Sequence, residues 1–359
     1  MEYTCIDSFC GAGGLSLGLQ SAGVRILFSF DTDEHCIETH RLNPKYFRHK
    51  CECVSIDAVL SRPASFIPHY GKRRLFLLAG GPPCQGFSVQ RIGEDNDLRN
   101  HLVLKYAELI KTLRPRYFLM ENVPGINGRR GKAVLEAVMY LARSLGYWVH
   151  VKELDAQDFG VPQRRRRVFV VGEDCEMGPS TFTFPEGSSD GQGMTVYDAI
   201  GHLPPPPEDG TDHPDWPHHR RDRLSELNKR RIAALRPGQG REHLPAALLA
   251  KCHRLSADRI GHRYVYGRME WGEVAPTITA RFDSFTRGKF GHPKQCRSIS
   301  LREGALLQTF PSDFVFSGNK VDIARQIGNA VPPKLAEAIG KQIILCHSQK
   351  KSVMKEPTK

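Results

Sequence analysis

The sequence GGPPCQGFS predicts an abrupt turn at Cys84 and raises the possibility of a reactive thiol. Two glycines and two prolines precede the cysteine and restrict the backbone that leads to it. A free cysteine is most often a small buried hydrophobic residue, yet its thiolate is also an effective nucleophile. The partners that the rest of the chain brings to this turn decide between these interpretations.

Polar residues and glycines follow each of the first five apolar runs of the chain. If a thiol lies at the same edge of a sheet as carboxylates and a glycine turn, a catalytic role is favoured over a packing role. In chain order, the positions are Gly11 and Gly13 after the first run, Asp31 after the second, Asp57 after the third, Cys84 after the fourth and Glu121 after the fifth.

The elements that position these residues are short apolar runs that alternate with helical patterns. This alternation predicts an α/β fold with a doubly wound parallel sheet and helices on both faces. Ligands of such sheets bind beyond the carboxyl ends of the strands. The runs are TCIDSF, VRILFSF, CVSI, RLFLLAG, RYFLM, WVHVKEL and RVFVVG.

The glycine turn predicts a cofactor that contains adenosine. Asp31 follows Gly11 by 20 residues, which is the usual separation for a carboxylate that holds ribose hydroxyls. The third glycine of a nicotinamide fingerprint is replaced by Ser16, so an oxidoreductase is disfavoured. The residues alone leave the identity of the cofactor open.

Composition indicates a soluble protein of 359 residues that binds a polyanion. The net charge is +12, which is typical of proteins that bind nucleic acid. No apolar run is long enough to span a membrane, and no signal peptide is recognised, so we expect a cytoplasmic protein. The ten cysteines form no CxxC pair, which favours reduced thiols over disulfides and disfavours a zinc finger.

Residues 213–263 carry much of the positive charge. This window holds 12 Lys and Arg against 5 acidic residues, together with six of the 15 histidines. Its histidines and cysteine do not repeat a zinc-finger spacing, so we predict no metal site. Prolines around residues 203–217 mark an irregular, loop-rich region.

Six motifs in order resemble the C5-cytosine DNA methyltransferase family of bacterial restriction-modification systems. They are DSFCGAGGLSLGL, GGPPCQGFS, MENVPG, FGVPQRRRRVFVVG, SLREGALLQTFP and QIGNAVPPKLAEAI. The resemblance implies a Rossmann-like sheet dependent on S-adenosylmethionine and a smaller basic target-recognition domain. We expect the catalytic domain at 1–180 and 320–346, the recognition domain at 181–319, and a flexible tail at 347–359.

The resemblance also implies the catalytic residues. Cys84 adds to carbon 6 of cytosine, which activates carbon 5 for methylation, and Glu121 hydrogen-bonds the ring nitrogen and the exocyclic amine. In the run QRRRR, alternate side chains share a face if the run is extended. One pair of arginines can then face the site, and the resemblance implies that Arg165 contacts the target base and that Arg167 supports the site.

Further residues follow from the resemblance by position. The cofactor set is Phe9, Gly11, Gly13, Asp31, Thr32, Asp57 and Asn329, with Thr32 where the family often has a larger side chain. The segment VQRIGEDNDLRNHL resembles the loop that closes over flipped DNA. The expected DNA contacts in and beside it are Ser88, Gln90 and Arg99.

Double-stranded DNA is the expected partner of a chain that we predict to be monomeric, and a restriction endonuclease is its expected functional counterpart. A transfer-RNA cytosine methyltransferase on the same fold remains an alternative. A nucleic-acid-binding relative without activity is a second alternative, which the intact Cys84, Glu121, Arg165 and Asn329 disfavour.

Overall fold

The chain divides into two compact units in the computed structural model. The large unit comprises Met1–Asp155, Arg166–Gly187 and Val331–Lys359, and the small unit comprises Ala156–Arg165 and Ser188–Ala330. The predicted boundaries differ from these divisions, because 156–165 falls in the small unit and the return to the large unit comes at Val331. The described residues are 2–67, 74–83, 100–129, 131–187, 193–250 and 265–353.

A seven-stranded sheet forms the large unit, with the strand order β3-β2-β1-β4-β5-β7-β6. The order reverses at β1, as in doubly wound folds. The strands are β1 Thr4–Ser8, β2 Arg25–Asp31, β3 Lys50–Cys53, β4 Leu77–Gly80, β5 Tyr117–Asn122, β6 Tyr147–Asp155 and β7 Arg166–Asp174.

All seven apolar runs contribute to strands, with two corrections. The sheet is not wholly parallel, since β7 pairs antiparallel with both β5 and β6. The short β6–β7 connection permits this reversal, because antiparallel neighbours need no crossover helix. The run CVSI is also not a strand as a whole, because β3 ends at Cys53 and the Ser55 side chain caps the next helix by accepting from the backbone N–H of Ala58.

Both faces of the sheet are covered. Alternate strand residues such as Ile6, Leu78 and Phe118 join one apolar core with the helices α3, α5 and α6. On the opposite face, the Tyr117 ring meets His347 of the last helix. The helices of this unit are α1 Gly14–Ser21, α2 Glu34–Leu42, α3 Ile56–Ser61, α4 Pro63–Phe66, α5 Asn100–Leu113, α6 Lys132–Ser144 and α11 Pro333–Val353.

The predicted tail at 347–359 is wrong for its first seven residues, because α11 continues to Val353. Lys350 is buried and its Nζ lies 2.7 Å from Glu173 Oε1, so this part of the chain is anchored to β7. Residues 354–359 lie outside the described residues. No helix in the described part of the chain is long and apolar enough to cross a membrane.

The small unit contains short helices and long irregular segments. Buried arginines satisfy backbone carbonyls of these loops: Arg302 donates to Pro217, Pro311 and Phe314. Loop carbonyls that have no strand or helix partner need such donors when they are buried. The helices of this unit are α7 Val196–Ile200, α8 Glu226–Ala233, α9 Leu301–Leu307 and α10 Lys320–Asn329.

Candidate active site

The glycine turn between β1 and α1 adopts a left-handed backbone at Gly11 (φ 51°) and Gly13 (φ 85°). A Cβ at Gly13 would lie 2.4 Å from the Phe47 ring, so packing alone requires glycine there. A Cβ at Gly11 would meet no atom within 4 Å. The turn is therefore tightly packed at Gly13 and open at Gly11, where a ligand has room to approach the backbone.

Asp31 lies at the carboxyl end of β2 and is joined directly to this turn. The backbone N–H of Gly11 donates to Asp31 Oδ2 at 3.0 Å, and that of Asp33 donates to Oδ1 at 3.0 Å. Burial raises the pKa of Asp31, and these backbone hydrogen bonds oppose the rise. The structure thus brings together two of the predicted cofactor residues, Gly11 and Asp31.

The other predicted cofactor residues lie in more varied surroundings. Phe9 has a positive φ of 56° and its ring packs against Phe30. Thr32 is exposed. Asp57 lies in the first turn of α3 with its side chain 63% exposed, 3.4 Å from Lys105 Nζ. Asn329 is the exposed last residue of α10, in the small unit, so its expected place beside the cofactor stays a prediction.

Glu121 and Arg167 form an ion pair near the carboxyl end of β5. Arg167 Nε lies 2.8 Å from Glu121 Oε1, and only 12% and 10% of their side chains are exposed. Antiparallel pairing of β5 with β7 places Glu121 opposite Phe169, two residues from Arg167. Burial lowers the pKa of Arg167 and the Glu121 charge opposes this shift. The two charged groups are therefore held together at a position that solvent hardly reaches.

The segment that leads to Cys84 packs against this pair. A Cβ at Gly81 would lie 3.1 Å from Glu121 Oε2, so the backbone passes close to the carboxylate. The Asn122 side chain donates from Nδ2 to the carbonyl of Pro82 at 3.0 Å and fixes the segment to β5. We had not predicted this role for Asn122, although the residue lies within the quoted motif MENVPG.

Arg165 has a different environment, and its expected contact with the target base stays a prediction. Its side chain is fully buried. The guanidinium donates to three carbonyls of the small unit, those of Ile278 (2.9 Å), Gly328 (2.8 Å) and Ala330 (2.9 Å). Arg167, expected to have the supporting role, is the arginine that contacts Glu121.

The predicted alternation along QRRRR is confirmed. Arg164 and Arg166 are 63% and 68% exposed and pair with Glu273 and Glu153 respectively. Gln163 is fully buried, and its amide accepts from the backbone N–H of Ile278 and donates to Gln308 Oε1. We had assigned no role to Gln163. Its position at the start of the motif was the available signal.

Four predicted site residues cannot be placed. Cys84, Ser88, Gln90 and Arg99 lie outside the described residues, as does most of the segment predicted to close over DNA. Their roles stay predictions.

Two histidines of the basic window have structural hydrogen bonds. His219 is buried between the Ser300 hydroxyl and the carbonyl of Pro204, each 2.7 Å from a ring nitrogen. His218 Nε2 accepts from the backbone N–H of Phe316 at 2.9 Å. Their ring nitrogens are therefore engaged in holding loops of the small unit.

Comparison with known families decides the class of enzyme. Residues 3–345 match the family described as C-5 cytosine-specific DNA methylase. The chain belongs to this family. As a C-5 cytosine DNA methylase, it methylates cytosine in DNA, and the site is built on the Rossmann-like sheet that the sequence predicted.

Two relatives of this methylase match over nearly its whole length. One is the Type II methylase M.HgiDII of Herpetosiphon aurantiacus, 36% identical over 96% of this chain and 95% of the relative. The other is the Type II methyltransferase M1.HphI of Haemophilus parahaemolyticus, 34% identical over 96% and 87%.

Among solved structures, this methylase is similar to a DNA modification methyltransferase encoded within a prophage (E. coli). The TM-score is 0.69 at 26% identity, over 97% of this chain and 100% of the other. The S. pombe Dnmt2 methyltransferase shares the fold at 16% identity, with a TM-score of 0.57 over 99% of this chain and 100% of the other.

Proposed function

We propose that this methylase transfers a methyl group from S-adenosylmethionine to carbon 5 of a cytosine flipped out of a short duplex DNA site, with Cys84 as the nucleophile. The Arg167–Glu121 pair is the observation that carries the proposal. It lies at the carboxyl end of β5, and the segment that leads to Cys84 passes Glu121 at Gly81. A charged, nearly dry carboxylate beside a nucleophile loop suits acid–base work on a base.

The reaction begins with the Cys84 thiolate, whose sulfur forms a bond to carbon 6 of cytosine. The electron pair of the 5,6 double bond then makes carbon 5 nucleophilic. With S-adenosylmethionine held at the glycine turn, carbon 5 would take its methyl group as the bond to the sulfonium sulfur breaks and S-adenosylhomocysteine is left, and a base would then remove the carbon 5 proton. The returning electron pair expels the Cys84 thiolate, which leaves 5-methylcytosine and the enzyme unchanged.

Glu121 stabilises charge on the ring while the adduct exists. Arg167 contacts one carboxylate oxygen, Oε1, and the other, Oε2, lies on the side of Gly81. To donate to ring nitrogen 3, the Glu121 carboxyl must carry a proton when the thiolate attacks, and displacement of water by the base favours that neutral form. Because Arg167 contacts Oε1, the proton would reside on Oε2. Arg167 thereby fixes the orientation of Glu121 and prevents the carboxylate from rotating away.

The glycine turn fits the expected cofactor. Gly11 offers open space beside the backbone, and Asp31 lies within hydrogen-bond distance of the same turn, where its carboxylate can hold ribose hydroxyls. When bound there, S-adenosylmethionine supplies an electrophilic methyl group. Phe9, Gly13, Thr32, Asp57 and Asn329 complete the proposed binding set.

The biological role that we propose is modification in a Type II restriction-modification system, as the names of the relatives suggest. The chain acts as a monomer on double-stranded DNA in the cytoplasm, and a cognate endonuclease cuts the unmodified site. Ser88, Gln90 and Arg99 contact DNA, and the basic window 213–263 contributes phosphate contacts.

Bisulfite sequencing of DNA and RNA from an unmethylated host that expresses the chain tests this function. We expect protected cytosines in one short DNA context with the wild-type protein and none with Cys84→Ser. Cys175→Ser is the matched control, because Cys175 is an exposed thiol at the end of β7 and its loss should leave methylation intact.

Protection confined to transfer RNA would replace the DNA proposal with the RNA alternative. Absence of protection in both nucleic acids, with folded protein confirmed by circular dichroism, would contradict the proposed activity.

A further inference from the structure

Two thiols and an imidazole meet beneath the glycine turn, outside the residues that the proposed reaction uses. Cys10 lies within the turn itself, His40 comes from α2, and Cys51 comes from β3. Their candidate ligand atoms all lie within 4.8 Å of one another. Three separate elements of the large unit therefore converge on one point.

This cluster is held by a rigid part of the fold. The backbone N–H of Cys10 donates to the carbonyl of Phe30 on β2, and Cys51 pairs with Ser29 of the same strand. The His40 ring stacks on Phe47, with 4.1 Å between the ring centroids. The three side chains are thus held in place by the sheet and by aromatic packing, so bringing them together has no large entropic cost.

The hydrogen bonding of His40 leaves one ring nitrogen as an acceptor. Its Nε2 lies 3.1 Å from the carbonyl of Gly11, and a carbonyl only accepts, so Nε2 carries the proton. The lone pair is then on Nδ1, which is buried and makes no hydrogen bond. Metal-binding histidines typically show this arrangement, in which the other nitrogen donates to a backbone carbonyl.

The set of donor atoms selects the class of metal. Two sulfurs and one imidazole nitrogen are soft ligands that suit Zn²⁺, which prefers tetrahedral coordination by Cys and His. Bonds of about 2.3 Å to sulfur and about 2.0 Å to nitrogen require ligand atoms roughly 3.5–3.8 Å apart. Side-chain shifts of at most about one ångström reach that geometry.

We infer that Cys10, His40 and Cys51 bind a zinc ion, with water as the fourth ligand. Cys10 and His40 are buried and Cys51 is half-buried, so the open corner lies on the side of Cys51. The ion braces the glycine turn, because one ligand belongs to the turn and another holds the Gly11 carbonyl. Finger spacings could not reveal this site, since its ligands are 30 and 11 residues apart along the chain.

Metal content provides the test, and it is independent of methyl transfer. The untagged full chain, expressed with zinc and purified under reducing conditions, should hold one zinc ion by mass spectrometry. Cys51→Ser and His40→Gln should lose it. Cys53→Ser is the matched control, because Cys53 lies on the same strand but is exposed and outside the cluster.

A second measurement requires no substitution. Wild-type protein freed of metal by a chelator should bind one Co²⁺ and show a sulfur-to-cobalt charge-transfer band with tetrahedral d–d absorption. Absence of that band, or zinc retained equally by Cys51→Ser, would overturn the inference.

Discussion

Arg165 and Arg167 are two residues apart in one basic run, yet their side chains have different kinds of partner in the structure. Arg165 donates to three carbonyls of the small unit and is fully buried. Arg167 contacts a single carboxylate, Glu121, at the edge of the large unit's sheet. Two arginines that alternate along an extended run can therefore have partners of different kinds.

The partners explain the difference. Backbone carbonyls are fixed acceptors, and an arginine that saturates them stabilises the fold and little else. A carboxylate can exchange protons and rotate, so an arginine that holds one also tunes its chemistry. Other arginines of the small unit are of the first kind, as Arg268 shows by donating to the carbonyls of Ile232 and His292.

We expect the largest effect on the rate of methyl transfer from replacing Glu121, the carboxyl group that Arg167 contacts. Glu121→Gln should lower the single-turnover rate of methyl transfer roughly 10²–10⁴-fold, because the amide cannot share a proton with the base. The DNA affinity should change much less. Equal losses in rate and in affinity would show that Glu121 serves binding and not proton transfer.

The buried pair Arg297–Glu303 extends the comparison to pH. Burial alone would raise the pKa of Glu303, but the Arg297 charge and hydrogen bonds bring it down to about 2 from its usual 4.5. Because the pKa of Glu303 is lower in the folded than in the unfolded protein, its ionised carboxylate stabilises the fold at pH values above about 4.5. This stabilisation is lost as the pH falls from 4.5 towards 2. The contribution is roughly 3 kcal/mol.

Denaturant unfolding between pH 7 and pH 3 measures this term. The free energy of unfolding of the wild-type protein should exceed that of Glu303→Gln at pH 7, and this difference should decrease as the pH falls below 4.5. A constant difference in the free energy of unfolding across the range would contradict the account of Glu303.

Arg165→Lys should lower the free energy of unfolding by about 2 kcal/mol, because one ammonium cannot reach three carbonyls that a planar guanidinium spans. The single-turnover rate per folded molecule should stay near that of the wild type. Unfolding in urea and rate measurement at a temperature well below the transition separate the two effects. A large drop in rate with unchanged stability would move Arg165 to the chemical side.

Arg167→Lys is the same substitution with the opposite expectation. The charge beside Glu121 is retained but the Nε contact is lost, so the rate should fall roughly 10-fold while stability changes by less than about 1 kcal/mol. Arg166→Lys is the matched control, since Arg166 is exposed and its pair with Glu153 contributes little. If Arg167→Lys behaved like this control, the proposed role of Arg167 would not stand.

Much of the large unit could be predicted from the sequence. The apolar runs located six of the seven strands, and the run CVSI overlapped β3 only at Cys53. The edge that carries Asp31 and Glu121 followed from the ends of those runs. The reversed direction of β7 could not be predicted, because a run of Val and Phe reads alike in either direction. The contact of Arg167 with Glu121 could not be predicted either, since it depends on the antiparallel register of β5 and β7.

The small unit was predictable only as a basic, irregular region. Its irregular segments are held by buried arginines that donate to carbonyls distant in sequence, and no local sequence pattern indicates such contacts. The long helix at the end of the chain was also mistaken in part for a tail, because the segment after His347 is polar and only the buried pair of Lys350 with Glu173 shows why it stays helical.

Covalent trapping tests the central claim most directly, that Cys84 attacks a cytosine held by the Glu121–Arg167 pair. The recognised duplex, identified by bisulfite sequencing, is synthesised with 5-fluorocytosine at the target position and incubated with the enzyme and S-adenosylmethionine. Fluorine takes the place of the carbon 5 proton and cannot be removed by a base, so the thiolate is not expelled. The account therefore predicts a stable adduct that peptide mapping assigns to Cys84 and that Cys84→Ser does not form. An adduct that persists in Cys84→Ser, or that maps to another cysteine, would contradict the account.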